Sequence, residues 1–207
     1  MNLRLSFVLL LLIPFTSCIN TEQSKVDVIG PKLVKAENGI LTPEILWSFG
    51  RLGETAVSPN GTMIAYTVTW YSVEKNSSNS ELFIMNIDGS NKKQLTTTEV
   101  HEFSPVWVND KTIAYLSTEG ESSQIWTINV NGTGKKKISS FDSDINGFQI
   151  SPKGDKILFI SEIKIDKGTS DIYPDLPKAS RMMYSDLMYR HWDSWEDGLY
   201  SHIFVAD

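Results

Sequence analysis

Short segments of alternating apolar and polar residues recur along this chain and are separated by turn residues. Residues 82–89 align without a gap with residues 125–132, and the two copies end in Asp-Gly and Asn-Gly. Residues 92–96 then align with residues 135–139 in the same register. Alternation with a period of two is typical of β-strands in a stacked sheet. We therefore predict a repeated unit in which two strands are joined by a tight turn.

Ser-Pro pairs mark the beginning of each unit. They start at Ser58, Ser104 and Ser151, which places them 46 and 47 residues apart. Each pair precedes a run rich in β-branched and aromatic residues, over 63–66, 112–115 and 156–159. A period of this length with strands inside it is typical of a β-propeller blade. The chain is thus predicted to be all-β, a partial β-propeller of about two and a half four-stranded blades.

The pattern assigns strands to each blade and a polar loop to residues 71–80. The predicted strands cover 55–58, 63–70, 81–87 and 92–96 in the first blade, 104–108, 111–117, 124–130 and 135–139 in the second, and 147–150, 156–162 and 202–207 in the third. The chain ends before a fourth strand of the third blade. Because blades must close a ring, we expect the front part of a longer protein or a truncated gene product.

A short helix is predicted ahead of the first blade. Thr42 is a suitable N-cap, Pro43 suits the first helical position, and Gly50 can end the helix. Apolar residues at helical spacing predict a face that docks on the sheet; they are Ile45, Leu46 and Phe49.

A long insertion interrupts the third blade over residues 163–201, and residues 178–189 inside it could form a short helix. The insertion is rich in aromatic and charged side chains, and five of them are candidate substrate-cavity residues: Arg190, His191, Trp192, Trp195 and Glu196. Long insertions in such folds are commonly functional. In one interpretation these side chains form the lip of a cavity that fixes a charged end of a peptide. In the other, which the residue types alone favour, the tryptophans pack on the blade edge.

The amino terminus has the pattern of a secretory signal. A short positive start is followed by an apolar run over residues 5–15, too short to span a bilayer comfortably, and then by Cys18 after small residues. Small residues before a lone cysteine resemble a bacterial lipobox, although Phe15 replaces the usual leucine. We predict a lipoprotein signal over 1–18, a tether over 19–38 and an incomplete propeller over 39–207. The alternative is an ordinary cleaved signal without a lipid.

This assignment predicts a bacterial protein of the cell envelope, periplasmic or outer-membrane, that is held to the membrane by acyl chains on Cys18. A formal net charge of −6 argues against nucleic-acid binding, and the short basic run at 135–137 fits an exposed strand or turn better than a phosphate site. The three histidines, His101, His191 and His202, have no partners at metal-ligand spacing. No Gly-x-Ser-x-Gly motif occurs in the sequence. We therefore predict no catalytic residue, metal or cofactor within these residues.

Several stretches resemble the propeller domain of secreted prolyl oligopeptidase family serine peptidases. Residues 41–46 (Leu-Thr-Pro-Glu-Ile-Leu), 51–53 (Arg-Leu-Gly) and 57–61 (Val-Ser-Pro-Asn-Gly) are similar to the start of that domain. Residues 187–198 with 201–206 are similar to a signature of the dipeptidyl-peptidase and acylaminoacyl-peptidase-like branch.

The resemblance implies a propeller that caps a C-terminal α/β-hydrolase domain carrying a Ser, Asp and His triad. It also implies a cavity that admits short peptides and acyl-enzyme cleavage of dipeptides from peptide N-termini. None of the three catalytic residues lies in this sequence. The pattern over 87–96 also resembles propellers of the TolB type, so the alternative function is a non-enzymatic TolB-like binding scaffold.

Overall fold

The structure is a computed structural model, and it describes residues 28–176, 178, 182–185, 187, 190–192 and 194–207. The predicted signal peptide with Cys18, and the tether up to residue 27, lie outside the described residues. In the part of the chain that is described, no helix combines the length and apolar character needed to cross a membrane. The described tether residues 28–36 have no regular secondary structure, but the carbonyl of Ile29 accepts a hydrogen bond of 3.2 Å from Asn79 Nδ2.

The first blade is a four-stranded antiparallel sheet whose strands neighbour one another in chain order. A short 3-10 turn (Glu37–Gly39) and helix α1 (Pro43–Ser48) precede it, and its strands are β1 (Arg51–Val57), β2 (Met63–Ser72), β3 (Ser77–Asn86) and β4 (Lys93–Gln94). Helix α1 packs against β2. As predicted, Pro43 begins the helix, and the Thr42 hydroxyl accepts the N–H of Ile45 at 3.4 Å.

The second blade repeats this meander. Its strands are β5 (Glu102–Asn109), β6 (Thr112–Ser117), β7 (Gln124–Asn129) and β8 (Lys136–Lys137), again paired in chain order. The third blade contains β9 (Ile145–Ile150) and β10 (Ile157–Lys164), followed by helix α2 (Thr169–Ile172), a two-stranded hairpin of β11 (Arg190–His191) and β12 (Ser194–Trp195), and finally β13 (Leu199–Ala206). Strand β10 pairs with both β9 and β13.

Strand β6 lies at the centre of the fold because both of its faces are buried. Ile113 and Tyr115 pack towards the first blade in a core with Leu82, Ile84 and Leu95. Ala114 and Leu116 point the other way, into a core with side chains of the third blade, among them Ile145, Phe148 and Phe159. The alternation of side chains along a strand explains this division. The blades therefore stack face to face, as predicted for a propeller.

Three local predictions were wrong. The loop expected over 71–80 is a continuation of the β2–β3 hairpin, and only residues 73–76 form the turn. Helix α1 ends at Ser48 with Phe49 as its C-cap, so Gly50 follows the helix end as predicted, but only Ile45 of the predicted apolar face is buried. No helix includes the described residues of the stretch 178–189, which are 178, 182–185 and 187.

The Ser-Pro pairs are not equivalent in the structure. Ser58 and Ser151 lie in the turns after β1 and β9, where each accepts the N–H of a residue three positions later. Ser104 lies inside β5 at a bulge, has a φ of 51°, and donates its N–H to the Glu54 carboxylate of the neighbouring blade. Pro105 is tolerated there because a bulge removes the need for its missing N–H.

Candidate functional site

The insertion leaves and re-enters the third blade through a regular ladder. Strands β10 and β13 pair continuously from Ile157 with Ala206 to Lys164 with Leu199, so the insertion spans residues 165–198 and not 163–201. The N–H groups of Ile165 and Asp166 both donate to the carbonyl of Gly198, at 2.9 and 3.3 Å. The insertion is thus a long segment that begins and ends at the last residue pair of the regularly paired β10 and β13.

Gly198 lies at the base of the insertion, where it meets β10 and β13, and has a backbone conformation that suits glycine. Its φ is 80°, and a Cβ atom added there would lie 2.4 Å from the carbonyl oxygen of Asp166. Side chains reinforce the same position: the Tyr200 hydroxyl donates to Asp166 Oδ2 at 2.6 Å, and this hydrogen bond raises the pKa of Tyr200. Lys164 pairs with Asp171 of α2, and its hydrogen bond lowers the pKa of that carboxyl group.

The β11–β12 hairpin carries the predicted cavity residues and is called the aromatic hairpin below. Arg190 lies opposite Trp195, and its guanidinium carbon is 5.1 Å from the centroid of that indole ring. Tyr184 stacks on the same indole with ring centroids 6.1 Å apart. The Tyr184 hydroxyl also lies 2.8 Å from the backbone carbonyl of Glu196, to which it donates. Cation–π and ring contacts therefore order the base of the hairpin.

Trp192 lies at the tip of the aromatic hairpin, where its φ is 52° and 86% of its side chain is exposed. The backbone of His191 pairs with Ser194. The structure thus brings together Arg190, Trp195 and the backbone of Glu196, and it presents Trp192 to solvent. Trp195 packs against Arg190 and Tyr184 of the insertion, whereas the indole of Trp192 is exposed, and the roles of these side chains as cavity residues stay a prediction.

Titratable side chains elsewhere do not form a catalytic or metal-binding arrangement among the described residues. No group of three or more His, Cys, Asp or Glu side chains lies close enough to hold a metal ion within that part of the chain. His202 lies in β13, and its Nδ1 is 2.9 Å from the carbonyl oxygen of Tyr200. The carboxylates of Glu196 and Asp197 are exposed, as expected for surface solvation.

Sequence reasoning missed a pair of buried carboxyl groups between the first two blades. Glu81 and Glu102 are 1% and 0% exposed, although glutamate is almost never fully buried without a partner. The gapless alignment of the blades held a signal for them, because Glu81 lies at the position where the second blade has Gln124. A polar residue at the same register of two repeats indicates a structural role for its hydrogen bonds.

The stacked meanders define the class of the protein as a β-propeller built from four-stranded antiparallel blades. Residues 50–181 match the family described as the TolB beta propeller domain (PD40). The chain therefore belongs to the TolB-type β-propeller family.

The chain is also similar to several peptidases. It is 44% identical over 168 residues to dipeptidyl-peptidase 5 of Porphyromonas gingivalis, a match that covers 81% of this chain and 24% of that protein. Dipeptidyl-peptidase 5 of Porphyromonas endodontalis is 36% identical over 178 residues, or 85% of this chain and 26% of the relative. The chain thus spans about a quarter of the length of these relatives.

Solved structures agree on the fold. The acylaminoacyl peptidase of Pyrococcus horikoshii matches 78% of this chain and 24% of its own, with a TM-score of 0.57 and 18% identity. An acylaminoacyl peptidase in complex with Z-Gly-Gly-Phe-chloromethyl ketone matches over the same shares with a TM-score of 0.59 and 18% identity. These matches show the propeller fold, and the sequence relatives support the propeller portion of a prolyl oligopeptidase-family peptidase, as the resemblance implied. They are also compatible with a location in the cell envelope.

Proposed function

We propose that this chain is the substrate-gating propeller of a cell-envelope serine peptidase that removes dipeptides from short peptides. The observation that carries the proposal is the 44% identity to a dipeptidyl-peptidase 5 over 81% of the chain. In this proposal the serine, histidine and aspartate that perform acyl transfer belong to an α/β-hydrolase domain. In this proposal the residues of the propeller do not contact the scissile peptide bond. They control which peptides reach the catalytic residues.

The aromatic hairpin forms the lip of the entry path in this proposal. Arg190, Trp195 and Tyr184 contact one another at its base, and Trp192 lies at its exposed tip. An exposed indole can stack on the apolar side chains and peptide planes of an extended peptide, and aromatic side chains lose little conformational entropy on binding. Arg190 adds a positive charge beside this surface that suits the C-terminal carboxylate of a peptide.

Hydrolysis of chromogenic dipeptidyl substrates tests the assignment as a peptidase propeller. The 207-residue chain should be inactive, because no Gly-x-Ser-x-Gly motif lies in it. The complete product of its gene should release the chromophore and should contain that motif. An inactive complete product without the motif would favour the non-enzymatic scaffold, and activity of the 207 residues alone would contradict our assignment of the catalytic groups.

Replacement of Trp192 tests the role of the hairpin in the complete gene product. Trp192→Ala should raise KM for peptides of four or more residues by about 3–10-fold, while kcat changes little, because binding energy common to ground and transition states is lost. Met183→Ala serves as the control, since Met183 is another exposed side chain of the same insertion. Equal effects of both variants would show that Trp192 has no special place in peptide binding.

We also propose that Cys18 carries the lipid that holds this protein in the envelope. The support comes from the apolar run and small residues before the cysteine, and from the absence of another cysteine in the sequence. Several acyl chains on one N-terminal residue provide stable anchoring where a single chain would not. The tether would then place the propeller away from the membrane surface, where peptides can reach it.

A further inference from the structure

A polar network recurs in the first two blades at equivalent positions of the third strand, Glu81 within β3 and Gln124 at the start of β7. In the first blade the Glu81 carboxylate accepts the Thr96 hydroxyl at 2.6 Å and the N–H of Thr98 at 2.8 Å. In the second blade the Gln124 amide oxygen accepts the Ser139 hydroxyl at 2.7 Å and the N–H of Phe141 at 3.0 Å. Each network fixes the segment that follows the fourth strand.

Each network also reaches the next blade. The Ser80 hydroxyl donates to the carbonyl of Glu102 at 2.9 Å, and the Ser123 hydroxyl donates to the carbonyl of Ile145 at 3.2 Å. Glu102 and Ile145 are therefore equivalent positions at the start of β5 and β9. The junction between the first and second blades thus has two carboxyl groups where the next junction has an amide and an aliphatic side chain.

Thr98 joins the two carboxyl groups of the first junction. Its N–H binds Glu81 Oε1, and its hydroxyl oxygen lies 2.9 and 3.0 Å from the two carboxyl oxygens of Glu102. The Ser117 hydroxyl is 3.4 Å from Glu102 Oε1. Two ionised carboxylates so close together and shielded from water repel each other and lose their hydration, which makes full ionisation of both unfavourable.

Few positive charges offset this repulsion. Lys135, ahead of β8, lowers the pKa of Glu102, but this lysine also pairs with Glu119 and packs over the Trp126 ring at 5.0 Å. Tyr115 faces the same region from β6, and its pKa is raised by burial and then by the negative charges of Glu102, Glu119 and Glu81. The strongest influences on Glu102 are its burial, then the charge of Glu81, and together they raise its pKa from 4.5 to about 8.

We propose that Glu81 and Glu102 share a single proton across the junction of the first two blades, and that its loss to solvent loosens this junction as the pH rises. The protonated carboxyl group supplies an O–H donor, and its ionised partner accepts that hydrogen bond. The neutral pair of Gln124 and Ile145 at the next junction has no group that can lose a proton. These equivalent positions of the two junctions therefore respond differently to pH.

The sign of the pH dependence follows from the raised pKa of Glu102. The folded chain retains the proton up to about pH 8, whereas the unfolded chain loses it near pH 4.5. Unfolding between these values releases a proton, so the free energy of unfolding falls as the pH rises and levels off above the folded-state pKa.

Thermal unfolding of the full chain between about pH 6 and about pH 9 tests the proposal. The Tm of the unchanged chain should fall about 4–8 °C further over this range than the Tm of Glu102→Gln. The fall for Glu81→Gln should be intermediate, because burial still raises the pKa of Glu102 in that variant. Glu81→Gln copies the residue of the second blade, so it provides a variant with a good prospect of folding if Glu102→Gln does not. Glu121→Gln removes an exposed carboxylate and should behave like the unchanged chain.

Calorimetry in buffers of different ionisation enthalpy independently measures the number of protons that are released on unfolding. At about pH 6.5, unfolding of the unchanged chain should release about one proton more than unfolding of Glu102→Gln. Equal proton release, or equal pH slopes for the two variants and the unchanged chain, would overturn the proposal. A rise in Tm at about pH 6 on addition of calcium, present in the unchanged chain and absent in Glu81→Gln, would also overturn it, because a cation and not a proton would then join the pair.

Discussion

The Tyr115 hydroxyl is buried in the core between the first two blades and has no hydrogen-bond partner among the described residues. An unpaired buried hydroxyl carries a desolvation penalty that a hydrogen bond does not offset. Tyr115→Phe should therefore raise the free energy of unfolding by about 1 kcal/mol. Urea unfolding measures the change, and Tyr200→Phe is the control, since its hydroxyl does have a partner in Asp166. A loss of stability in Tyr115→Phe would show that the hydroxyl is satisfied in solution.

The Thr96 hydroxyl is also buried, but unlike the Tyr115 hydroxyl it makes two hydrogen bonds. It accepts the N–H of Leu82 at 2.9 Å and donates to Glu81. Thr96→Val keeps the shape of the side chain but leaves both partners without it, and should lower the free energy of unfolding by about 2–3 kcal/mol. The neighbouring Thr97 is exposed, so Thr97→Val should change stability little. Equal unfolding midpoints for the two variants would contradict the role given to Thr96.

Individual residues were predictable from the sequence where their role is local. Thr42 was predicted as an N-cap because capping depends on the next three residues alone. Glu81 and Glu102 were not predicted, since acidic residues are normally solvated, whereas here each is buried and hydrogen-bonded to hydroxyl and N–H groups of its own blade or of the segment between the blades. Thr98 lies between the two carboxyl groups because of the way the first two blades pack, and a local sequence pattern does not encode that packing.

At the scale of elements, strands with one apolar face were predicted to within a few residues. Residues 71–80 were predicted as a loop because the prediction of strands relies on apolar residues. Ser72, Asn79 and Ser80 are instead buried polar residues, and their hydrogen bonds replace apolar contacts. The aromatic hairpin could not be predicted as two strands, because its stability comes from the contacts of Arg190 and Tyr184 with Trp195 and not from alternation.

The base of the insertion should depend on Gly198. Gly198→Ala brings a Cβ against the Asp166 carbonyl and adds strain at positive φ, and should lower stability by about 2–4 kcal/mol. Gly154→Ala is a matched control, because Gly154 has a φ of 71° but open space around its Cβ position. Hydrogen exchange should show faster exchange at the ends of β10 and β13 in Gly198→Ala alone. The same loss in both variants would indicate backbone strain without a steric clash.

At the scale of the whole molecule, the repeat period predicted the propeller, and the stacking of the blades confirms it. The Ser-Pro pairs located all three blades, although Ser58 and Ser151 lie in turns after a strand, whereas Ser104 lies at a bulge within the predicted strand 104–108. Turn sequences and bulge sequences both favour Ser and Pro, so the motif alone does not separate them.

The proposed anchor predicts how the protein partitions between membrane and solution. Cys18→Ala removes the acyl acceptor and should move most of the protein from the detergent phase to the aqueous phase, as acyl chains supply the membrane affinity. Ser17→Ala is the control, because it keeps the cysteine and a small residue before it. Fractionation of cells that produce each variant measures the effect. Unchanged partitioning of Cys18→Ala would refute the lipid anchor.

Strand β6 has a consequence for how this molecule unfolds. Its alternate side chains belong to two different cores, so disruption of either core removes half of the packing of the same strand. Arrays of repeats lose cooperativity when the coupling between neighbours is weak compared with the stability of each unit. Here a central strand shared by two interfaces supplies strong coupling. The three blades should therefore melt in a single cooperative transition, and the tryptophan fluorescence should change at the same denaturant concentration as the circular dichroism of the whole chain.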